Sequence, residues 1–400
     1  MKTWLLDAIC AAVLCFVLAL GLWPFHAPRN GVTWLANHNG LRFGSPGTVI
    51  SSGAFPMTGV EDGTSGSVEV WLQPRRIWDN ATFLAFSGPR NPYQFLLRQS
   101  DAGLELYAEI RNDPHPAKTA SLYVRDVFHR SGPVFLTITS GQHGTAVYTN
   151  GVLARTAPGF RLSTSAITGR LVLGDSPGQP DSWSGRLLGL AIYHSELTAT
   201  QVLRHYEIWT RGKRPAISEG ERNVALYLFD ERAGNLVHNQ ASSSVNLKIP
   251  EKYLVLDRIF LEPIWKEFSL SRSYWSSACK NIVGFIPLGF CFCACLSAHK
   301  ARRPALTTVI LGTLVSLTIE ILQGYLPTRD SGTTDILTNT LGTYIGVTSC
   351  RVVSPILAAR FPWLPLAAWP AREGRKLIAL FCREIQQPRG CWTYHSGDPD

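Results

Sequence analysis

Between Phe25 and Ala278 the 400-residue sequence contains no cysteine, although the whole chain has nine. An exported segment of that length without cysteine folds without disulfides, so its stability must come from a packed core. Cys10 and Cys15 lie in the first apolar run and the other seven lie at Cys279 or later, and those inside apolar runs read as small core residues. Cys291, Cys293 and Cys295 alternate along a helical run and point in different directions, which makes a poor metal site. No metal or other cofactor is expected. There is no Ser-His-Asp order, phosphate-binding glycine loop or dinucleotide fingerprint. The net charge of +9 comes without an aromatic-interleaved basic stripe or zinc-finger spacing, so nucleic acid is not an expected partner.

What the chain has is apolar runs of membrane-spanning length. Trp4 to Trp23 is interrupted only by Asp7 and ends in Leu22-Trp-Pro-Phe25, an interfacial aromatic cluster rather than a small-residue cleavage site. It reads as an uncleaved anchor. Three further runs, Asn281–Ala298, Leu306–Leu322 and Ile336–Val353, give four expected transmembrane helices, the last the least apolar. Lys2, the Lys300 to Arg303 loop and the tail after Arg351 fall on one side of such an arrangement. The positive-inside rule then puts both termini in the cytoplasm and everything between the first two spans outside.

That intervening region changes character. Ser67-Val-Glu-Val-Trp-Leu-Gln73 and Val134–Thr139 alternate with period two, and Thr82–Ser87, Tyr93–Arg98, Leu104–Ile110, Ser121–Arg125, Arg170–Leu173, Leu187–Tyr193 and Val224–Phe229 add strand candidates. Tyr148-Thr-Asn-Gly-Val152 is a hairpin signal, since Asn-Gly adopts the positive φ angles of a type I′ turn. Thr198 and Gln201 form a capping box opening a helix to about Trp209. The fold class expected is an all-β antiparallel sandwich inserted into an α-helical membrane bundle.

The polar residues near the span ends form the candidate site. Glu320 and Gln323 share a helix face at i, i+3, and Asp335 and Asn339 do so at i, i+4. Between them lies a loop with Arg329 and Asp330, and Asn281 opens the second run at the same depth. An ionisable residue in a span needs a partner or a purpose. The purposes open are pairing between helices, a site for an anionic lipid headgroup or a lipid-linked glycan, or a catalytic carboxylate site with Glu320 or Asp335 as base and Arg329 holding a phosphate. In the sandwich, Asp175, Asp181 and Trp183 precede the Gly185 strand, where a tryptophan beside aspartate could stack on a sugar or simply cover the core.

The stretch Thr318-Ile-Glu-Ile-Leu-Gln through Arg329-Asp, Asp335 and Asn339 resembles the VanZ-like family of bacterial membrane proteins. Gly66-Ser-Val-Glu-Val-Trp-Leu-Gln-Pro74, the Tyr-Thr-Asn-Gly hairpin and Gly185–Tyr193 with its following helix resemble the laminin G-like, concanavalin A-like sandwiches. The expected organisation is an anchor at 1–25, a laminin G/concanavalin A-like sandwich at 30–250, a juxtamembrane segment at 251–278, a VanZ-like three-helix region at 279–354 and a basic tail at 355–400 with an amphipathic helix. The first resemblance implies a bacterial inner-membrane protein of the cell envelope, in a family named for a glycopeptide (teicoplanin) resistance protein. A binding role, with a membrane lipid and an envelope glycan or protein as partners, is preferred to catalysis, and no residue is assigned a catalytic role. The alternatives are an enzyme acting on a lipid-linked envelope precursor and a structural scaffold.

Overall fold

Period-two alternation becomes sheet wherever one face has a partner to bury against. The computed structural model describes residues 4–360 except 56–64, 89–90, 111–117, 131, 163, 179, 213–214, 216–222, 242–243, 269 and 271. The expected tail helix, at Lys376–Ile385, lies outside the described residues. The chain divides into two units, one formed by Pro24–Ile259 with Gly324–Asp330, the other by Met1–Trp23, Phe260–Gln323 and Ser331–Asp400.

The first unit is an antiparallel β-sandwich. One sheet orders β1 (Val32–Trp34), β2 (Leu41–Phe43), β13 (Gly185–Tyr193), β4 (Gly66–Pro74), β9 (Val134–Gly141), β10 (Gly144–Thr149) and β11 (Val152–Ala157), with β14 (Asn223–Tyr227) also on β13. The other orders β15 (Leu236–Val237), β16 (Leu247–Lys248), β3 (Val49–Phe55), β12 (Gly169–Leu173), β5 (Asp79–Ser87), β6 (Phe95–Asp101), β7 (Gly103–Ile110) and β8 (Lys118–Val124). Their inner faces share one core of aliphatic and aromatic side chains, among them Phe43, Val70, Phe83, Phe86, Leu136 and Tyr227. The Asn-Gly turn joins β10 to β11 with Asn150 at φ 54° and Gly151 at φ 78°. The Asn150 side chain accepts the Phe135 amide at 2.9 Å, which ties the turn to β9.

Helix α2 (Ala199–Thr210) lies on the outer face of the first sheet. Thr198 and Gln201 form the capping box reciprocally, and Val202, His205 and Trp209 are its buried residues. Val202 and Trp209 pack with Phe135, Ala191 and Leu226 into a second, smaller core.

The second unit is helical: α1 (Trp4–Leu22), the short α3 (Ile264–Glu267), α4 (Arg272–Ala298), α5 (Pro304–Gln323) and α6 (Thr333–Arg360). Among the described residues, three helices, Trp4–Leu22, Tyr274–Ala298 and Pro304–Gln323, are long and apolar enough to cross a membrane. α6 is long enough at 28 residues but less apolar. α4 starts nine residues before the run that begins at Asn281, taking in Tyr274 and Trp275, and carries Pro287 inside it.

Glycines set the spacing of this bundle. A Cβ on Gly342 would lie 2.2 Å from the Ile282 carbonyl oxygen, one on Gly346 2.2 Å from that of Ile286, and one on Gly289 2.2 Å from that of Thr343. α4 and α6 therefore run parallel with backbones in contact, the small-residue packing that membrane helices use where lipid removes the hydrophobic drive between them. α5 runs antiparallel to α6, with Gly312 seated against Thr343. α1 runs antiparallel to α4: Asp7 meets His299, while Cys10 donates to the Cys291 carbonyl at 3.1 Å.

Candidate functional site

The buried face of α5 carries Thr308, Gly312, Ser316, Ile319, Glu320 and Gln323. Ser316, Glu320 and Gln323 each meet a defined partner across the bundle. Ser316 Oγ accepts from Asn339 Nδ2 at 2.9 Å. One turn on, a Glu320 carboxylate oxygen accepts the Gly332 amide at 2.9 Å, and its carbonyl accepts the Ser331 hydroxyl at 2.9 Å. Gln323 donates to the Gly21 carbonyl at 2.8 Å, tying α5 to the end of α1.

The start of α6 is held from a second direction. Glu262 and Gly332 form a parallel bridge, the Thr333 amide and hydroxyl both donate to the Glu262 carbonyl at 2.9 Å, and the Thr334 amide donates to a Glu267 carboxylate oxygen at 2.8 Å. Helix N-termini attract anions because their first amides lack intrahelical acceptors. Here Glu320 and Glu267 supply carboxylates to two of those amides. The protein thus provides its own anions where a phosphate could otherwise sit.

Not every buried polar atom is matched. Among the described residues, Asn339 Oδ1, Asn281 Nδ2 and Thr334 Oγ1 have no hydrogen-bond partner, with Asn339 4% and Thr334 6% exposed. Asn281 adjoins Ile282, the residue against which Gly342 packs, and Asn339 lies one turn before Gly342. Both amides are thus within a turn of the α4–α6 crossing. Leaving such an atom buried and unmatched costs about 1–3 kcal/mol.

Of the seven residues expected to gather near the span ends, Asn281, Glu320, Gln323, Asp335 and Asn339 fall in the helical unit, with Asp335 in the first turn of α6. Arg329 and Asp330 belong to the sandwich unit, where the Arg258 guanidinium donates to the Arg329 carbonyl and, at 2.8 Å, to that of Gly324. Sequence reasoning did not include Glu262, Glu267, Ser331 or Gly332. The Ser-Gly pair between two runs was the available signal, since a loop glycine just before a helix offers a bare amide.

In the sandwich, Trp183 is 1% exposed, its ring packed between Phe43 and Phe83 and its Nε1 donating to Gln99 Oε1 at 3.1 Å. Stacking on a sugar requires an open ring face, and this one has none to offer. Asp175 is fully buried, with Oδ1 accepting the Ser176 and Asp181 amides at 2.8 and 2.7 Å and Oδ2 the Tyr253 hydroxyl at 2.5 Å. Burial pushes its carboxyl up to about 7, against the downward pull of those three hydrogen bonds. Burial also raises the Asp181 carboxyl, opposed first by Arg98, whose guanidinium lies 3.5 Å away. Thr82 donates to the same Asp181 oxygen at 2.7 Å. The trio braces the loop before β13.

Two features were not foreseen. Glu69, in the outward register of β4, is buried under α2 and meets His205 Nδ1 at 3.0 Å, the Tyr193 hydroxyl at 3.0 Å and Thr137 Oγ1 at 3.4 Å. On the second sheet an open groove of about 420 Å³ is lined by Ile50, Arg170, Asn235, Lys248, Glu251 and Leu254, among others.

Residues 221–354 match the profile of the VanZ/LLP1 family, and residues 48–203 that of the concanavalin A-like lectin/glucanases superfamily. The chain carries a VanZ-like region and a laminin G-like domain. No curated protein sequence matches it at a significant level. Among solved structures, a putative carbohydrate binding protein from Bacteroides ovatus is 15% identical over 58% of this chain, with a TM-score of 0.38. The chain spans 61% of that protein's length. A heptameric SAP-like pentraxin from Limulus polyphemus is 16% identical over 55% of this chain and 93% of its own, with a TM-score of 0.32. Domain 4 of the arabinanase AbnA from Geobacillus stearothermophilus, solved with arabinotriose, is 19% identical over 43% of this chain and 75% of its own, with a TM-score of 0.27. At such scores the likenesses bear no functional weight.

Proposed function

We propose that the protein is a binding protein of the bacterial envelope whose VanZ-like bundle engages the uncharged polar part of a lipid. α6 is then the fourth span, with both termini cytoplasmic and the sandwich outside. The observations that carry the lipid reading are the unmatched Asn339 acceptor and the unmatched Asn281 donor, each on a residue within a turn of the α4–α6 crossing. A group that both donates and accepts, such as a headgroup hydroxyl, an amide or the sugar of a lipid-linked glycan, would match both. A bare phosphate fits less well, because Glu320 and Glu267 already occupy the α6 amides and would repel it.

The test is lipid mass spectrometry on full-length protein purified in mild detergent, beside Asn339→Leu and Asn281→Leu. Enrichment of one lipid class in the wild type, lost in both variants while the helical content survives, is the expected result. The same lipid profile in well-folded variants overturns the reading and leaves a scaffold in which the two amides serve only packing.

A glycan-binding role for the sandwich rests on the superfamily match and the groove. Arg170 and Lys248 beside Asn235 and Glu251 suit an acidic glycan better than a neutral one, since no aromatic ring lines the groove for stacking. Acidic envelope glycans should bind with an affinity that falls with salt and is lost in Arg170→Ala with Lys248→Ala. Salt-independent binding, or binding that survives both substitutions, counts against it.

A further inference from the structure

Asp7 interrupts an otherwise apolar span, and what faces it is chemically specific. Its Oδ1 accepts the Cys295 thiol at 3.1 Å and lies 2.9 Å from His299 Nε2. One ligand atom from each of Asp7, Cys295 and His299 lies within 4.8 Å of the others. The Cys10 thiol, one turn along α1 from Asp7, donates to the Cys291 carbonyl, one turn before Cys295 on α4. Two helices therefore bring a carboxylate, two thiols and an imidazole together at one end of the bundle. Spacing explains the meeting: Asp7 and Cys10 are i, i+3 on α1, and Cys295 and His299 are i, i+4 on α4, so each pair shares a face. Alternation along Cys291, Cys293 and Cys295 is no obstacle, because only Cys295 belongs to the set. Cys293 packs instead with Cys350 in a separate apolar cluster.

We propose that Asp7, Cys295 and His299 form a binding site for a borderline divalent transition ion of the zinc class, with the Cys10 thiol one turn away on α1 as a candidate fourth ligand. Thiolate, imidazole and carboxylate together suit such an ion and not magnesium or calcium, which prefer oxygen. Charge supports the choice. A dication with the Asp7 carboxylate, the Cys295 thiolate and a neutral His299 sums to zero, which is favourable at a span end. Binding releases the Cys295 proton to solvent, and a further proton if Cys10 joins. Side-chain exposures of 46% for Asp7 and 49% for His299 leave an entry path from one end of the bundle. The ion would clamp α1 to α4 away from the Asn339 end.

The test uses full-length protein purified in mild detergent on a histidine-free tag and stripped by a chelator. Cobalt(II) is the probe. One cobalt per chain should produce a thiolate-to-metal charge-transfer band in the near ultraviolet and intense visible bands of a tetrahedral site, both erased by zinc. Cys295→Ser should remove or halve the charge-transfer band, and His299→Ala should weaken binding at least tenfold, the scale seen for losses around metal sites. Cys15→Ser and Cys279→Ser should leave the spectrum intact. A second measurement needs no variant: zinc should slow alkylation of Cys295 in the wild-type protein while leaving Cys279 unchanged. Folded protein without the bands, or with bands that survive Cys295→Ser together with His299→Ala, overturns the proposal. So does a melting temperature that zinc does not raise, because a ligand bound only to the folded state must raise it. The Asp7 contacts would then be hydrogen bonds between helices and nothing more.

Discussion

The two units of this chain solve the same packing problem with opposite materials. The largest fully buried side chains are aromatic and belong to the sandwich: Trp183, Tyr227, Tyr253 and a set of phenylalanines. The helical unit meets backbone to backbone at Gly342, Gly346 and Gly289, and its buried clusters are small, such as Val17, Phe285, Leu288 and Ile319. Water drives the first arrangement, because burying a large apolar side chain is favourable by about 1.5–3 kcal/mol. In lipid that drive is absent between helices, so close approach and hydrogen bonds must serve. Buried polar groups follow the same division. In the sandwich Glu69, Asp175 and Gln99 sit in networks of three or more contacts that brace α2 and the loop before β13. In the helices the buried Asn339 has one matched atom and one unmatched, which is a reason to look for a ligand there and not in the Asp175 loop.

The largest effect should come from the sandwich's aromatic core. Trp183→Ala removes a side chain packed on Phe43 and Phe83 and leaves Gln99 Oε1 without the indole donor. Such a change costs about 3–5 kcal/mol. Chemical denaturation followed by the sandwich's β-sheet circular dichroism is the measurement. A loss below 1 kcal/mol would mean that the ring is not the keystone its burial implies. Helical signal should be untouched, which is the comparison in its sharpest form.

Next comes the helical counterpart. Gly346→Leu puts a side chain where a Cβ alone meets the Ile286 carbonyl oxygen at 2.2 Å. Overpacking costs about 1–3 kcal/mol when neighbours are side chains that can move, and more is expected against backbone. Gel-based unfolding in graded denaturing detergent should show the helical unit loosened while proteolysis of the sandwich is unchanged. If both units fail together, they do not fold as separate bodies.

How much of this was legible in the sequence differs by unit for physical reasons. Period-two strands such as Ser67–Gln73 and Val134–Thr139, the Asn-Gly hairpin and the Thr198 capping box are local signals, and each lies where its pattern puts it. The short strands Val32–Trp34 and Leu41–Phe43 carry too few residues to show a period. Glu69 illustrates a deeper limit. Alternation assigns it correctly to the outer face of β4, but a period cannot say that a helix 130 residues later covers that face. The cluster around Glu320 was half legible. Helical spacing gave the shared faces, whereas the partner of the carboxylate is a loop amide, Gly332, whose position depends on backbone geometry no pattern encodes. Asp7 and His299, 292 residues apart, had no local signal at all.

A smaller effect should appear with pH, and only in the sandwich. Asp175 has its carboxyl raised by burial to about 7 in the folded state, against 3.8 as its ordinary value. The folded state therefore holds this proton more tightly than the unfolded chain does. Stability from this group is full below about pH 4 and is lost as pH rises toward 7, beyond which the loss levels off. Between pH 5 and 8 the loss is about 1–3 kcal/mol, allowing for the three hydrogen bonds that favour the ionised form. Asp175→Asn keeps one acceptor for the Ser176 and Asp181 amides while removing the titration. Its sandwich should lose less stability than the wild type over that interval. A wild-type profile that rises through neutrality, with Asp175→Asn following the same curve, would mean that the carboxyl is ionised and well served by its donors.

The smallest expected effect is none. With no cysteine between Phe25 and Ala278, the sandwich has nothing for a reductant to cleave. All seven described cysteines, from Cys10 to Cys350, are free thiols in the helical unit. Dithiothreitol should leave the sandwich's unfolding midpoint unchanged even though the proposed topology puts the domain on the oxidising side of the membrane, where small domains commonly rely on disulfides. Its substitute is size: about 230 residues allow two eight-stranded sheets to enclose a single aromatic core. Oxidant is the more searching arm. Diamide should alter only the helical unit, which holds all the described cysteines. A sandwich that reductant destabilises would have to owe its stability to the helices, and the separation between an aromatic core built for water and a glycine-packed bundle built for lipid would fail at that point.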